Sequence, residues 1–240
     1  MIRGLLFDWA GTLVRRARAA SDPFRACAPW LADLAGRPLQ PGDIERAYLA
    51  VLDGIEREGR APDVHRLAAE ILDWLGIPAA AGDVEAFALR FFESAAACEE
   101  LYDDARALLP SLRYRGFLVG VAANSLFRAE LLRRQIQRLG IGGYLQAVVT
   151  SADLGIPLPN PAVYRAALRC LGIEPYEALY VGASLSLAKG ARAAGLRAVL
   201  LVRDRRAGDH AGFLAVERLA AVSDLLGSGP VDVRRHRPLL

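Results

Sequence analysis

The apolar run Leu5-Leu6-Phe7 ends in a single acid, Asp8, and passes at once into Trp9-Ala10-Gly11-Thr12. A carboxylate carried by the last residue of a buried strand reaches the carboxyl edge of a parallel sheet, where open α/β sheets place their ligands. Asp8 is therefore the first residue that could do chemistry. A strand-end acid also has a purely structural use, accepting hydrogen bonds from loop amides. Close behind it stand Arg15, Arg16 and Arg18. Guanidinium groups hold phosphate or carboxylate without a metal, although a basic run of this kind is more often a solvated face. The only lysine is Lys189, so a step that needs a lysine elsewhere is excluded. His65, His210 and His236 fall in separate segments and form neither a Ser-His-Asp pattern nor a metal-ligand spacing.

The elements that must position Asp8 follow from periodicity. Residues 2–7 read as the first strand. Four amphipathic helices then follow without a strand between them, over residues 24–34, 44–55, 64–75 and 84–92, divided by Gly- and Pro-containing loops. Beyond Cys98 the pattern alternates: a helix to Leu112, a strand at 117–122, a helix at 126–139, a strand at 146–150, a helix at 160–171, a strand at 178–181, a helix at 185–194 and a strand at 198–202. Such alternation predicts an α/β fold, a Rossmann-like parallel sheet with helices on both faces and an inserted four-helix cap. The expected division is residues 1–15 and 99–227 as core, 16–98 as cap and 228–240 as a flexible tail. With 240 residues, 53% hydrophobic content and a formal net charge of +3, the chain can bury a sizeable core and carries no field that implies nucleic acid. No run is long enough to span a membrane. Cys27, Cys98 and Cys170 are far apart and odd in number, which suits reduced thiols in a cytoplasmic protein.

Phe7-Asp8-Trp9-Ala10-Gly11-Thr12-Leu13, Val181-Gly182-Ala183-Ser184-Leu185 and Gly190-Ala191-Arg192-Ala193-Ala194-Gly195, in that order and with a cap-sized helical segment after the first, resemble motifs of the haloacid dehalogenase superfamily of phosphatases and related hydrolases. The resemblance implies that Asp8 is the nucleophile position. It also implies four positions for the rest of the machinery. The acid two residues after the nucleophile, which protonates the leaving group, falls on Ala10. The hydroxyl that binds the phosphoryl group falls on Ala123, with Asn124 matching a frequent neighbour and Ser125 able to substitute only if the loop slips. The lysine falls on Leu158, within Leu158-Pro159-Asn160-Pro161. The magnesium-binding acid falls on Ala183, and residues 184–190 contain no acid.

Two relatives sharpen the expectation. Phosphonoacetaldehyde hydrolase shares the Asp-Trp-Ala-Gly-Thr string, but its imine-forming cap lysine has no counterpart here. Metal-free 2-haloacid dehalogenases pair the Asp with arginine, yet keep the lysine that Leu158 replaces. The sequence thus predicts a pseudo-phosphatase, with no cofactor and magnesium not expected. Its cap–core cleft would take an anionic small molecule or a protein partner, with neither nucleic acid nor membrane involved. Arg15, Arg16, Arg18, Asn124, Ser125 and Ser184 are the expected ligand-binding residues. The alternative is a metal-independent hydrolase on Asp8, phosphatase or dehalogenase-like, assisted by Ser125, Ser184 or the arginines.

Overall fold

The computed structural model describes residues 1–17, 22–203, 210 and 212–226. Arg18 and the expected tail therefore lie outside the described residues. The chain opens with β1 (Gly4–Phe7) and β2 (Val14–Arg16), then runs through α1 (Pro23–Ala35), α2 (Pro41–Arg57), α3 (Val64–Trp74) and α4 (Ala81–Ala97). It returns through β3 (Glu99–Leu101), α5 (Asp103–Tyr114), β4 (Leu118–Ala123), α6 (Ala129–Arg138), β5 (Ala147–Thr150), the short α7 (Ser151–Leu154) and α8 (Pro161–Leu171). It ends with β6 (Ala178–Gly182), α9 (Leu185–Ala193), β7 (Arg197–Leu201), β8 (Leu214–Val216) and α10 (Ala220–Leu225).

Six strands form one sheet in the order β5-β4-β1-β6-β7-β8, and every neighbouring pair is parallel. Both faces are covered, because successive side chains alternate across a strand. Leu5, Phe7, Val121 and Val181 enter one apolar cluster, while Leu6, Ala122 and Tyr180 enter the other. The chain leaves β1 in one direction to β4 and β5 and in the other to β6, β7 and β8, so the topological switch point falls at the carboxyl end of β1. That is where an open parallel sheet has its crevice, and Asp8 is the next residue.

The four helices α1–α4 share a third cluster, including Leu31, Ile44, Leu67, Ile71 and Phe87, to which Leu131 of α6 also belongs. Their ends follow from sequence. Asp22 caps α1 by accepting from the Phe24 amide at 2.9 Å, Pro23 fills its first turn, and Gly36 ends it with φ 61°. Asp63 caps α3 through the His65 and Arg66 amides at 3.1 and 3.3 Å and also accepts from Arg128 Nε, across from the sheet layer, at 2.7 Å. Asp63→Ala should therefore lower stability by about 1–2 kcal/mol, measured by urea denaturation at neutral pH. A smaller loss would show that water replaces the cap at no cost.

Helical periodicity did not disclose the two-stranded antiparallel ribbon of β2 and β3. Three residues per strand are too few to show an alternation. The last strand, β8, and α10 were not anticipated either. The expected helix at 126–139 starts instead at Ala129, because the Ser125 hydroxyl accepts from the Phe127 amide at 2.9 Å and turns the chain first.

Candidate active site

Asp8 continues the ladder between β1 and β6, its amide donating to the Val181 carbonyl at 3.0 Å. Its carboxylate accepts from the Trp9 amide at 2.8 Å, and the residue is 8% exposed. Burial pushes its pKa up to about 6, opposed only in part by that amide. No guanidinium or ammonium group bonds it among the described residues.

The register explains the neighbours. Phe7 pairs with Val121 and with Val181, so Asp8 stands one step beyond, beside Ala122 and Gly182, on the Leu6 and Tyr180 face. The Tyr180 ring rises along that face so closely that a Cβ at Gly182 would lie 2.6 Å from its hydroxyl oxygen. This hydroxyl is buried and has no hydrogen-bond partner. Tyr164 packs edge-on against Tyr180 with ring centroids 5.4 Å apart and donates its own hydroxyl to the Leu187 carbonyl at 2.7 Å. Burial, and then the Asp8 charge, raise the pKa of both phenols. Leu158 belongs to the same apolar cluster and is 4% exposed. The flank of Asp8 is thus hydrocarbon and phenol.

Gly11 has φ 72°, the left-handed region that favours glycine, and its amide donates to the Val14 carbonyl at 2.8 Å. The buried Thr12 hydroxyl accepts from the Ala183 amide at 3.1 Å, joining the loops that follow β1 and β6. Arg203 fixes the first loop from below. It donates to the Thr12 carbonyl at 2.7 Å and the Gly11 carbonyl at 3.3 Å, makes two 3.0 Å bonds to the Asp104 carboxylate, and stacks 3.6 Å over the Tyr102 ring. Sequence reasoning missed Arg203, since nothing local to it signals a contact with residues 11 and 12.

The expected ligand residues occupy different places. Asn124 exchanges two hydrogen bonds with the Leu158 backbone, at 3.1 and 2.8 Å, and so pins the turn before α8. α9 packs on that turn so tightly that a Cβ at Gly190 would lie 2.5 Å from the Pro159 carbonyl oxygen. The Ser125 amide donates to the Ser151 hydroxyl at 3.0 Å. Ser184 caps α9, accepting from the Leu187 amide at 3.4 Å. Arg15 is exposed and paired with Glu100 at 3.3 Å.

Two cavities separate these groups. A cavity of about 390 Å³ lies where the end of α2 faces the sheet layer, with Leu52, Glu56 and Arg60 on one wall and Asn124, Ser125 and Ser151 on the other. A cavity of about 230 Å³ lies beside the ribbon, lined by Ala10, Gly11, Arg15, Arg16 and Glu99 among others. Asp8 and Ser184 line neither. Glu99 was not anticipated. It accepts from the Trp9 indole at 3.1 Å and from Gln135 at 3.1 Å, and burial raises its pKa against the pull of those bonds and of Arg138.

A family model for haloacid dehalogenase-like hydrolases matches residues 2–195. The chain belongs to the haloacid dehalogenase-like hydrolase family. The glyceraldehyde 3-phosphate phosphatase of Methanopyrus kandleri is 29% identical over 206 residues, covering 86% of this chain and 85% of that protein. A phosphoglycolate phosphatase of Rhodospirillum rubrum is 29% identical over 234 residues, covering 95% and 92%. Among solved structures, a 2-haloacid dehalogenase of Pseudomonas syringae superposes with a TM-score of 0.75 at 23% identity, covering 94% of this chain and 98% of that one, which speaks to the fold.

At the positions where the family resemblance expects catalytic groups, this haloacid dehalogenase-like chain has an exposed Ala10 and Ala183, and a buried Ala123 and Leu158. Among the described residues, no three His, Cys, Asp or Glu side chains gather into a metal-holding group. No helix there is long and apolar enough to cross a membrane.

Proposed function

We propose that this chain is a non-catalytic member of the haloacid dehalogenase-like hydrolases, a pseudo-phosphatase that serves as a binding or regulatory module for an anionic small molecule or a protein partner held between α1–α4, as cap, and the sheet layer. One observation carries this above the others: the Asp8 carboxylate is buried and, among the described residues, no guanidinium or ammonium group bonds it, Leu158 standing where the resemblance places a lysine. A nucleophilic carboxylate must approach a phosphate that is itself negative. Like unit charges at 4 Å repel by about 1 kcal/mol in water and about 4 kcal/mol at the effective dielectric of a protein surface, and among the described residues only the neutral Trp9 amide bonds the Asp8 carboxylate to offset this.

The family's metal does not fit the donor set either. Magnesium prefers carboxylate oxygens in near-ideal octahedral geometry, and among the positions that match the family's motifs Asp8 is the only carboxylate left. Ala10 removes the general acid, a group worth about a hundred- to ten-thousand-fold in rate. Cys27 and Cys98 are buried and Cys170 is exposed, and three cysteines so far apart in sequence suit a reducing, cytoplasmic setting.

The relatives are named phosphatases, which favours catalysis, and the second reading is a hydrolase built on Asp8 that works without a metal. Steady-state assays on a panel of phosphate esters, with and without magnesium, separate the two. The first reading expects wild type and Asp8→Asn to be indistinguishable from buffer. Turnover without magnesium that the substitution abolishes would establish the second, and turnover that needs magnesium would overturn both.

A further inference from the structure

The ribbon sets two Arg–Glu pairs directly opposite one another, Arg15 against Glu100 and Arg16 against Glu99. Side chains so placed have Cβ atoms about 4.5–5.5 Å apart, and opposite charges there ordinarily pair. The first pair does so, at 3.3 Å. The second does not. The Glu99 carboxylate is turned inward, held by the Trp9 indole on both oxygens at 3.2 and 3.1 Å and by Gln135 at 3.1 Å. Arg138 stands behind it, on the Ala96 carbonyl. Arg16 stays exposed, with no side-chain partner among the described residues.

Both residues line the smaller cavity, together with Arg15, which is already paired with Glu100, and with Ala10, Val14, Pro23 and Ala95. An acid and a guanidinium that do not pair with each other, on the walls of one largely apolar cavity, make a receptor for a molecule with both charges. At about 230 Å³, the space is below the roughly 300–1,000 Å³ of sites for drug-sized ligands. The occupant must be compact.

We infer that this cavity binds a small zwitterion of the α-amino-acid type, its carboxylate on the Arg16 guanidinium and its ammonium on the Glu99 carboxylate. The inference rests on the chain being a binding module, and it adds a cationic end to the anionic ligand proposed above. A guanidinium takes a carboxylate in a bidentate fork. Glu99 retains acceptor capacity toward the cavity, because a carboxylate has about four lone-pair sites.

Isothermal titration calorimetry on the full chain tests this, with the standard amino acids supplied singly and each binder compared with its deaminated acid and its decarboxylated amine; for alanine these are propionate and ethylamine. At least one amino acid should bind, and each single-charge analogue should bind about tenfold or more weakly. Arg16→Gln, a substitution at an exposed position, should weaken the amino acid by a similar factor. Glu99→Gln, with its fold verified by thermal melting, should erase the preference for the amino acid over the deaminated acid.

The inference is overturned if no amino acid binds at millimolar concentration, if propionate-type analogues bind as well as their parents, or if Arg16→Gln leaves the affinity unchanged. These outcomes are independent of phosphate-ester turnover, so the zwitterion can fail while the non-catalytic reading stands, and the reverse.

Discussion

Asp8→Asn is expected to melt at a higher temperature than the wild-type protein at pH 7. Burial lifts the Asp8 carboxyl from 3.8 to about 6 in the folded chain, so above pH 6 folding must keep a desolvated charge that the unfolded chain would hydrate. The rise from 3.8 to about 6 corresponds to about 3 kcal/mol. The sign follows from proton linkage. Between pH 3.8 and 6 the folded state binds the proton more tightly, so wild-type stability from this group rises as pH falls through that window and the penalty is complete above it.

Asparagine keeps an oxygen for the Trp9 amide and carries no charge at any pH. For a chain of this size about 2–4 °C accompanies each kcal/mol, which places the gain at about 6–12 °C at pH 7. The gain should shrink as pH is lowered toward 4. Scanning calorimetry of both proteins across that range checks it; equal melting at pH 7, or a gap independent of pH, would mean that the carboxylate is not a buried, unpaired charge.

The second large effect is expected at Arg203 and Asp104. Their side chains are 21% and 18% exposed, and breaking one partner of a buried pair costs about 3–5 kcal/mol. Residual solvation places Arg203→Ala near the lower end. That variant also loses the bonds to the Gly11 and Thr12 carbonyls and the stacking on Tyr102. Asp104→Ala instead loses the bond from the Leu219 amide at 2.8 Å, so the two variants loosen different loops.

A double-mutant cycle by urea denaturation should show coupling of about 1–3 kcal/mol; additive losses would mean that the pair acts through its other contacts. Burial acts to raise the Asp104 pKa, but the bonds from Arg203 and Leu219 outweigh it and hold the carboxyl below 3.8. Its contribution is therefore present above pH 3.8 and lost as pH falls through the lower folded value. That window lies on the acid side of the Asp8 window, and the two can be measured separately.

Much of the scaffold is written locally. Leu5-Leu6-Phe7 before Asp8, the strand–helix alternation after Cys98, and glycines such as Gly36, Gly140 and Gly172, all with positive φ, mark strands and helix ends within a few residues of their observed limits. The surroundings of Asp8 are written non-locally. Tyr164 and Tyr180 read as core residues, and only the pairing of β1 with β6 brings their ring cluster beside the carboxylate. Arg203 reaches Gly11 and Thr12 across |i−j| separations of 192 and 191. Arg15 and Arg16 look alike in sequence, and only the folded ribbon shows Arg15 paired with Glu100 while the carboxylate opposite Arg16 is taken by Trp9 and Gln135. Asn124 reads as a ligand residue until its two bonds to Leu158 account for its amide.

The proposal that Asp8 does no nucleophilic chemistry is tested most directly by mass spectrometry of the peptide that contains it, after the protein has been incubated with magnesium and excess acetyl phosphate and, separately, with a 2-haloacid. An attacking carboxylate would retain the phosphoryl group as an acyl phosphate or the acid as an ester. We expect the peptide at its unmodified mass in both incubations. A phosphoryl or ester adduct mapped to Asp8 would contradict the account.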